Sequence, residues 1–429
     1  MSAPASAPSP HRSAYANYVL GVLVLLYIVN YVDRQILSVL IEPIKHDLGV
    51  SDTAMGLLSG MAFALFYTTA GIPIARLADR GSRRNVISVG VVVWSGMTAL
   101  TGFAQSFLQL ALARVGVGCG EAALSPASHS LITDYFPPER RATALSIYNV
   151  GANLGIMLGF IAGGWIGENF GWRTAFLVVG LPGLAAALLA RLTIREPQRG
   201  AMEERQGEQE IPGVREVFSY LWSLRSFRHL SLSAAFYAFA AYGFTVWGAT
   251  FLIRVHGMSL AESGLWMGLI QGVGGGIGTY VGGRLCDSLG ARDARWMVWT
   301  PAVGGALSLP LLGVFLFWPG QAGALAGYAP AMVFSVFFVG PSYALTQSLA
   351  KLRMRALASA LVMFIMNLIG LGIAPLVVGA LNDAMEPRFG AEAVRYSLMV
   401  TGAASSWAIV HSLMAARTVR EDLAHARNS

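Results

Sequence analysis

The sequence has little charge and few cysteines. Only 12% of its 429 residues are charged and 55% are hydrophobic, whereas ordinary soluble domains carry roughly 25% charged residues. This balance excludes a soluble globular domain and predicts a polytopic membrane protein. Two cysteines, Cys119 and Cys286, are too few for a disulfide framework. Both fall in or beside a predicted helix, so we expect them to be small packing residues.

Signatures of several catalytic chemistries are also missing. The sequence holds no His-rich metal set and no Ser–His pairing at helical spacing, and His129 stands alone. The Gly274-Gly275-Gly276 run lies inside an apolar segment and lacks the lysine that follows a phosphate-binding loop. A membrane enzyme and an ATP-driven pump are therefore disfavoured, whereas a non-transporting sensor stays open. We expect no enzyme activity, no metal and no cofactor.

Long apolar segments recur along the chain with short breaks, and each is long enough for the roughly 20 apolar residues that cross a bilayer. These runs are continuous and are not the ten-residue alternating stretches of membrane strands, so the pattern indicates helices. The expected fold is an all-α integral membrane protein with twelve transmembrane helices. We place them at residues 15–43, 53–77, 84–104, 106–134, 140–167, 172–194, 226–254, 259–285, 294–317, 322–350, 355–384 and 392–416.

The positions of Lys and Arg set the expected orientation, because these residues favour the cytoplasmic side. Of the 30 Lys and Arg, 23 lie in the segments on the side of the termini, five lie on the other side, and two lie inside spans. Both termini are therefore expected to be cytoplasmic, and the net charge of +7 reflects topology and not nucleic-acid binding. Only two of the 30 are lysines, a bias that suggests a GC-rich bacterial genome and hence the inner membrane.

The longest break contains the charged run Glu203–Glu210 and a short amphipathic stretch near Val214–Leu224. It divides the spans six and six, and we interpret it as a cytoplasmic linker. The expected organisation is a disordered cytoplasmic tail at 1–14, an N-terminal bundle at 15–194, the linker at 195–225, a C-terminal bundle at 226–416 and a cytoplasmic tail at 417–429.

The two halves repeat. Residues 75–79 (Ala-Arg-Leu-Ala-Asp) match residues 283–287 (Gly-Arg-Leu-Cys-Asp), and Asn153 matches Asn367. Such parallel repeats predict two pseudo-symmetric six-helix bundles with a site between them near the bilayer midplane, and alternating access by rocking. Asn153 and Asn367 are candidate substrate-binding residues.

Four charged residues lie in the interior of predicted spans, away from the span ends: Asp33 and Arg34 in the first, and Arg114 and Glu121 in the fourth. Charges at such positions are costly in lipid and mark substrate or proton paths. Asp33 and Arg114 have similar expected depths, roughly 15 and 12 Å at 1.5 Å per residue, so they could pair. Arg34 could reach toward the deeper Glu121.

A state that separates an acid from its arginine favours protonation, and a state that rejoins them expels the proton. We therefore expect Asp33 and Glu121 to carry proton coupling, with sodium left open. The alternative is a pair of permanent salt bridges between helices. Arginine presents a planar fork that suits phosphate or carboxylate, so Arg34 and Arg114 are expected to bind an anionic head group.

The interior of the C-terminal half has no ionisable residue, only scattered polar groups among apolar ones. A cavity charged on one side and apolar on the other suits an amphipathic anion. Asn30 and Tyr343 complete the expected substrate site. The expected partners are this small substrate and the membrane lipids around a functional monomer.

The loop at residues 75–84 (Ala-Arg-Leu-Ala-Asp-Arg-Gly-Ser-Arg-Arg) resembles the loop signature of the major facilitator superfamily, with Ala75 and Ser82 replacing two glycines. Span 5 resembles the antiporter glycine motif of that family, with Phe160 in place of proline. The resemblance implies a latch on the cytoplasmic side of the outward-facing state. Its members here would be Asp79, Arg80, Arg83, Arg84, Asp134 and Asp287.

A narrower resemblance joins residues 27–165 to the Spinster family of lipid transporters. It is carried by residues 30–34 (Asn-Tyr-Val-Asp-Arg), by Asp52 with Gly56, and by residues 120–122 (Gly-Glu-Ala). The resemblance implies proton-linked movement of lysophospholipids or sphingosine-1-phosphate-like lipids. The alternative is an ion-coupled transporter or exporter of a soluble organic anion or a drug.

Overall fold

The computed structural model describes residues 10–199 and 213–428. Most of the tail expected at 1–14, the charged run Glu203–Glu210 and the last residue lie outside the described residues. The described ranges fold into α-helices with short 3-10 and π-helical turns and contain no strand. The expectation of an all-α protein is confirmed.

The helices form six spans before the linker and six after it. Spans 1 to 6 are Pro10–Val39; Asp52–Ser59 with Met61–Arg80; Arg83–Thr101; Phe107–Glu121 with Leu124–Tyr135; Pro138–Phe170; and Trp172–Thr193. Spans 7 to 9 are Arg225–His256; Leu260–Leu269 with Gly275–Gly290; and Trp296–Phe317. Spans 10 to 12 are Gln321–Ser335 with Val339–Leu349; Arg355–Met366 with Ala374–Phe389; and Ala393–Asn428. Two short helices lie outside the spans: Ile41–Leu48 after span 1 and Val214–Ser223 before span 7.

Within the described residues, nine helical stretches are long and apolar enough to cross a membrane. One of them, Arg355–Ala426, contains both spans 11 and 12, which a 3-10 turn at Gly390–Glu392 separates. Spans 3 and 8 complete the set. The described chain therefore has the twelve spans expected from its hydropathy.

The ends of the chain are more helical than expected. Span 1 begins at Pro10, inside the segment expected to be a disordered tail. Span 12 continues to Asn428 and therefore includes most of the tail expected at 417–429. Val419 and Leu423 in this extension are buried, so packing against the C-terminal half accounts for the added helix.

Span 5 lies between the two halves because its glycines allow close approach on two sides. A Cβ atom at Gly155 would lie 2.6 Å from the backbone oxygen of Ile28 in span 1. One at Gly164 would lie 2.7 Å from the backbone oxygen of Leu260, where span 8 begins. The close packing predicted from the glycine motif is therefore present, although Phe160 replaces the proline.

Span 2 approaches span 11 of the other half just as closely. A Cβ atom at Gly56 would lie 2.3 Å from the backbone oxygen of Pro375, and one at Gly379 would lie 2.2 Å from that of Asp52. Span 2 is broken at Gly60, where the backbone leaves helical geometry. These contacts place the first turn of span 2 directly against the C-terminal half.

Candidate functional site

Span 1 and span 4 are joined by an ion pair inside the bundle. The Nη2 and Nε atoms of Arg34 donate to Glu121 Oε2 at 2.6 and 3.1 Å. The side chain of Glu121 is fully buried and that of Arg34 is 10% exposed. Glu121 is the last residue of the first helix of span 4, where the helix dipole favours a nearby cation such as Arg34. The reach of Arg34 toward Glu121 is therefore as expected.

Aromatic rings surround the Arg34 guanidinium. Its central carbon lies 5.0 Å from the ring centroid of Tyr31, 4.9 Å from Phe63 and 5.1 Å from Tyr67. These distances are within the range of a cation–π interaction. Arg34 also interacts electrostatically with Tyr242 of span 7. The cation therefore lies where spans 1 and 2 face the C-terminal half.

The second expected pair, Asp33 with Arg114, is not formed. Asp33 Oδ2 accepts a hydrogen bond from Thr98 at 3.2 Å, whereas Asp33 Oδ1 and Arg114 Nε have no partner among the described residues. The guanidinium of Arg114 lies instead 4.6 Å from the centroid of Phe63, on the ring that Arg34 also contacts. In this structure Arg114 therefore contacts an aromatic ring and forms no ion pair with Asp33.

Asp33, Thr98 and Arg114 line one small cavity within the N-terminal half. The space available there to the centre of a water molecule is about 10 Å³, which is about enough for one water. The two ionisable side chains that fail to pair therefore share a polar space.

The other residues expected to bind substrate are dispersed around this centre. Asn30 is 3% exposed, and its amide nitrogen has no partner among the described residues. Tyr343 is half-buried and lies near Tyr31. Asn153 lies toward span 8, since a Cβ atom at Gly275 would be 3.6 Å from its Oδ1. Asn30 and Tyr343 thus lie in the region around Arg34, whereas Asn153 lies at the contact between spans 5 and 8.

Asn367 begins the π-helical turn Asn367–Ile373 of span 11 and is half-buried. A π-helical turn of this kind often marks a functional position in a helix. Span 8 has the corresponding irregularity at Ile270–Gly274. The turn of span 11 packs against span 2, since a Cβ atom at Gly372 would lie 3.3 Å from the Cβ atom of Ala64. The turn of span 8 packs against span 5, since a Cβ atom at Gly272 would lie 2.6 Å from the Cβ atom of Met157.

On the predicted cytoplasmic face, the residues of the expected latch bind within the N-terminal half. Arg83 is 2% exposed and contacts Asp134 and Ser130, while its Nε donates to Glu196 Oε1 at 2.8 Å. The backbone N–H of Arg84 donates to Glu196 Oε2 at 3.0 Å. Sequence reasoning missed Glu196, because it lies in the segment interpreted as a linker.

The ionisation of Glu196 depends on these donors. Partial burial opposes the charged form, but the hydrogen bonds from the backbone of Arg84 and from the side chains of Arg83 and Ser82 outweigh it and hold the pKa of Glu196 below its usual range. Glu196 is therefore an anion at neutral pH and fixes the end of span 6 to the start of span 3.

The remaining residues of the expected latch are not engaged. Asp79, Arg80 and Asp287 are exposed, and their side chains form no hydrogen bond or ion pair with another described residue. In this conformation, therefore, the latch loop does not bind across to the C-terminal half.

A larger ion network, which sequence reasoning did not identify, lies at the opposite face. Asp52 at the start of span 2 is 1% exposed. Its Oδ2 and Oδ1 accept from Arg254 Nη1 and Nη2 at 2.5 and 2.8 Å. Lys45 Nζ lies 2.7 Å from Oδ1, and Asn382 Nδ2 donates to Oδ2 at 2.9 Å. Arg254 also donates to Glu42 at 2.9 Å.

Asp383 of span 11 completes this network as a helix cap supplied by the other half. Its Oδ2 accepts from the Thr53 backbone at 2.8 Å and from the Thr53 hydroxyl at 2.5 Å, and its Oδ1 accepts from the Asp52 backbone at 3.0 Å. An anion there satisfies free N–H groups at a helix N-terminus and complements the helix dipole. We name the set Glu42, Lys45, Asp52, Thr53, Arg254, Asn382 and Asp383 the outer gate.

The outer gate joins the N-terminal half to the C-terminal half. Near it, Glu168 at the end of span 5 accepts a hydrogen bond at 2.6 Å from the backbone N–H of Ala261 in span 8. Among described residues, the hydrogen bonds between the halves concentrate at this face, away from the chain termini. The sequence signal for the gate was weak, because each member lies at or near the end of a predicted span, where polar and charged residues are ordinary.

Two pseudo-symmetric helical bundles, a buried ion pair facing the interface between them and a gate at one face define a membrane transporter. The profile of the Major Facilitator Superfamily matches residues 23–375. The chain belongs to this superfamily, and both fold and family are those of integral membrane transporters and not of enzymes.

Its relatives support the narrower resemblance to Spinster. The chain is 36% identical to an MFS-type efflux pump of Mycolicibacterium smegmatis, over 97% of this chain and 96% of the relative. It is 27% identical to the sphingosine-1-phosphate transporter SPNS2 of Danio rerio, over 86% of this chain and 76% of the relative.

A solved structure shows the same fold. The crystal structure of a bacterial homologue of the human lysosomal transporter Spinster, in an inward-facing and unoccupied conformation, superposes with a TM-score of 0.87 at 32% identity. The match covers 97% of this chain and 99% of the homologue.

Proposed function

We propose that this protein is a proton-coupled secondary transporter that moves an anionic amphiphile, such as a lysophospholipid or a sphingosine-1-phosphate-like lipid, by alternating access. The observation that carries the proposal is the environment of Arg34. This arginine binds one carboxylate, is surrounded by aromatic rings and faces the other half of the protein.

Recognition of the substrate follows from exchange of partners at Arg34. An incoming phosphate or carboxylate can take the guanidinium fork, because both present the geometry that Glu121 presents. The aromatic rings of Tyr31, Phe63 and Tyr67 offer apolar surface to the first part of the substrate chain. The interior of the C-terminal half, which is mostly apolar among the described residues, accommodates the rest of the tail.

Proton coupling follows from the same exchange. When the substrate head group occupies Arg34, Glu121 loses its counter-ion in a buried position, and the neutral form becomes favoured. Return of Arg34 to Glu121 releases the proton. Asp33 is the second coupling group, since its Oδ1 has no partner among the described residues and shares a cavity with Arg114.

In alternating access, one face of the protein would be closed while the other is open. The outer gate closes one face in this conformation, and the latch of Asp79 and Asp287 would close the other face after the halves rock. We place both termini in the cytoplasm and the protein in a bacterial inner membrane, and we assign transport to the monomer because the charged centre lies within one chain.

Export of a soluble organic anion or a drug is the second candidate. The efflux-pump relative, which matches nearly the whole chain, favours it. The same Arg34 would bind a compact anion, but the aromatic and apolar surroundings would then add little affinity. The length of the apolar tail that the site tolerates separates the two candidates.

The test is transport by the purified protein in proteoliposomes under an imposed pH gradient or an imposed sodium gradient. The substrates are lysophospholipids with chains of different length, a sphingosine-1-phosphate analogue, a sugar-acid anion and a drug dye. The proposal expects uptake that depends on the pH gradient and increases with chain length. Transport of the sugar acid or the dye alone would select the second candidate, and transport driven only by sodium would overturn proton coupling.

A further inference from the structure

The short helix Val214–Ser223 between the halves presents an apolar ridge to its surroundings. Val214, Phe218 and Trp222 are spaced four residues apart and therefore lie along one side of the helix. They are 59%, 41% and 39% exposed. The rings of Phe218 and Trp222 stack at 5.3 Å between centroids. None of these three side chains belongs to the charged site, to the outer gate or to the latch.

The neighbouring side of this helix is fixed to the C-terminal half. Val217 and Leu221 are completely buried in a core cluster with residues of spans 7, 10 and 11. The hydroxyl of Tyr220 donates to the backbone oxygen of Leu349 at 3.3 Å, and Lys351 Nζ lies 5.2 Å from the Tyr220 ring. The helix is therefore anchored at the predicted cytoplasmic ends of these spans, and its apolar ridge faces away from the anchor.

Positive charge borders the ridge. Arg215 precedes Trp222 by seven residues, which places both on nearly the same line of the helix. It is exposed and forms no hydrogen bond or ion pair with another described residue. Arg225, which starts span 7, is exposed as well. The acidic residue of the helix, Glu216, lies 3.6 Å from Arg353 and is thereby partly neutralised.

We propose that this ridge is a binding surface for anionic phospholipids of the adjacent leaflet. An amphipathic helix with an aromatic apolar side and basic residues at its edge lies in the plane of the membrane interface. Phe218 and Trp222 enter the region between head groups and acyl chains, and Arg215 and Arg225 bind lipid phosphates. The surface is independent of the transported substrate, because it lies on the short helix between the halves and outside the charged centre.

The experiment measures contact of Trp222 with lipid. The full-length protein is reconstituted into bilayers that contain phosphatidylcholine or phosphatidylglycerol with brominated acyl chains, which quench tryptophan fluorescence on contact. The difference between the parent and Trp222→Phe isolates Trp222 from the other nine tryptophans of the ten in the chain. We expect Trp222 to be quenched, and more strongly by brominated phosphatidylglycerol than by brominated phosphatidylcholine.

Arg215→Gln should reduce that preference by up to about fivefold, the effect of one basic residue near an anionic surface. Arg292→Gln is the matched control, because Arg292 is an exposed arginine of the same half and face but lies outside this helix; it should leave the preference unchanged. An unquenched Trp222 would overturn the proposal and indicate that a protein segment, such as residues 200–212, covers the ridge. Quenching without a preference for the anionic lipid would also overturn it.

Discussion

The outer gate makes a specific prediction about the conformational equilibrium. Asp52→Asn removes the carboxylate that joins Arg254 and Lys45, while preserving the size of the side chain. Because the bonds from Arg254 and Asn382 cross between the halves, they exist only while the outer face is closed. The variant should therefore shift the population toward the outward-open state.

The magnitude can be worked from the contacts. Removing one partner of a buried ion pair costs about 3–5 kcal/mol. Asparagine still accepts hydrogen bonds at this position, and Arg254 still forms its ion pair with Glu42. The closed state should therefore lose about 2–3 kcal/mol of stability relative to the open state. At 1.36 kcal/mol per factor of ten, the ratio of open to closed changes by about 30- to 150-fold. An open state populated at about 1% would rise to roughly 25–60%.

The assay is a distance distribution between two spin labels at the outer face. Suitable sites are Gln105 and Ala391, which are exposed in loops of opposite halves, in a protein whose Cys119 and Cys286 are replaced by alanine. We expect a second, longer distance to appear in the Asp52→Asn protein.

Asp47→Asn is the matched control. Asp47 lies at the same face and binds Arg173 at 2.6 Å, but both residues belong to the N-terminal half and are exposed. Loss of such a surface pair changes little, so the distances should stay those of the parent. An Asp52→Asn protein with the parent's distance distribution would refute the gate.

Three further predictions follow from the rest of the structure. In the Asp52→Asn background, Asp79→Asn should reduce the population of the longer spin-label distance, because Asp79 is unpaired in this conformation and its latch would form only in the other; an unchanged population would reject the latch. Arg34→Lys should weaken substrate binding about tenfold, since lysine lacks the planar fork and stacks less well on aromatic rings; equal affinity in a direct binding assay would move the head-group site to Arg114. Glu196 has a lowered pKa, so its stabilisation of the folded state is complete above its ordinary pKa of about 4.3 and is lost as the pH falls through the lower folded value. The parent should therefore be more stable than Glu196→Gln by about 1 kcal/mol in the free energy of unfolding. The difference in melting temperature between the two proteins should stay constant from pH 8 to pH 5 and shrink at lower pH. A difference that grows on acidification would contradict the assignment.

The fold could be predicted from the sequence because the bilayer imposes a simple rule on it. Each span needs a long apolar run, so hydropathy alone located twelve helices. The charged centre was also predictable, since Arg34 and Glu121 are rare inside spans and their expected depths allowed contact. The amphipathic stretch predicted near Val214–Leu224 is likewise present as the helix Val214–Ser223.

The partners within the site were less predictable, because rotamers decide them. Asp33 and Arg114 have similar expected depths. In the structure, however, Asp33 accepts a hydrogen bond from Thr98, and the guanidinium of Arg114 contacts the ring of Phe63. The outer gate escaped prediction for a different reason. Asp52 and Arg254 lie 202 residues apart, each at a span end where charge is ordinary, and only the packing of span 2 against span 11 brings the two halves together.

Uptake driven by a pH gradient in Glu121→Gln and Asp33→Asn most directly tests whether these two acids couple transport to protons. Glutamine mimics the protonated form of Glu121, and it still accepts a hydrogen bond from Arg34. The account predicts that Glu121→Gln binds substrate at least as well as the parent, retains exchange in the absence of a gradient and loses uptake driven by a pH gradient. Asp33→Asn should lose the same driven uptake if the two acids act in sequence. Uptake driven by the pH gradient in both single variants, beside normal binding by the same purified proteins, would contradict proton coupling through this site.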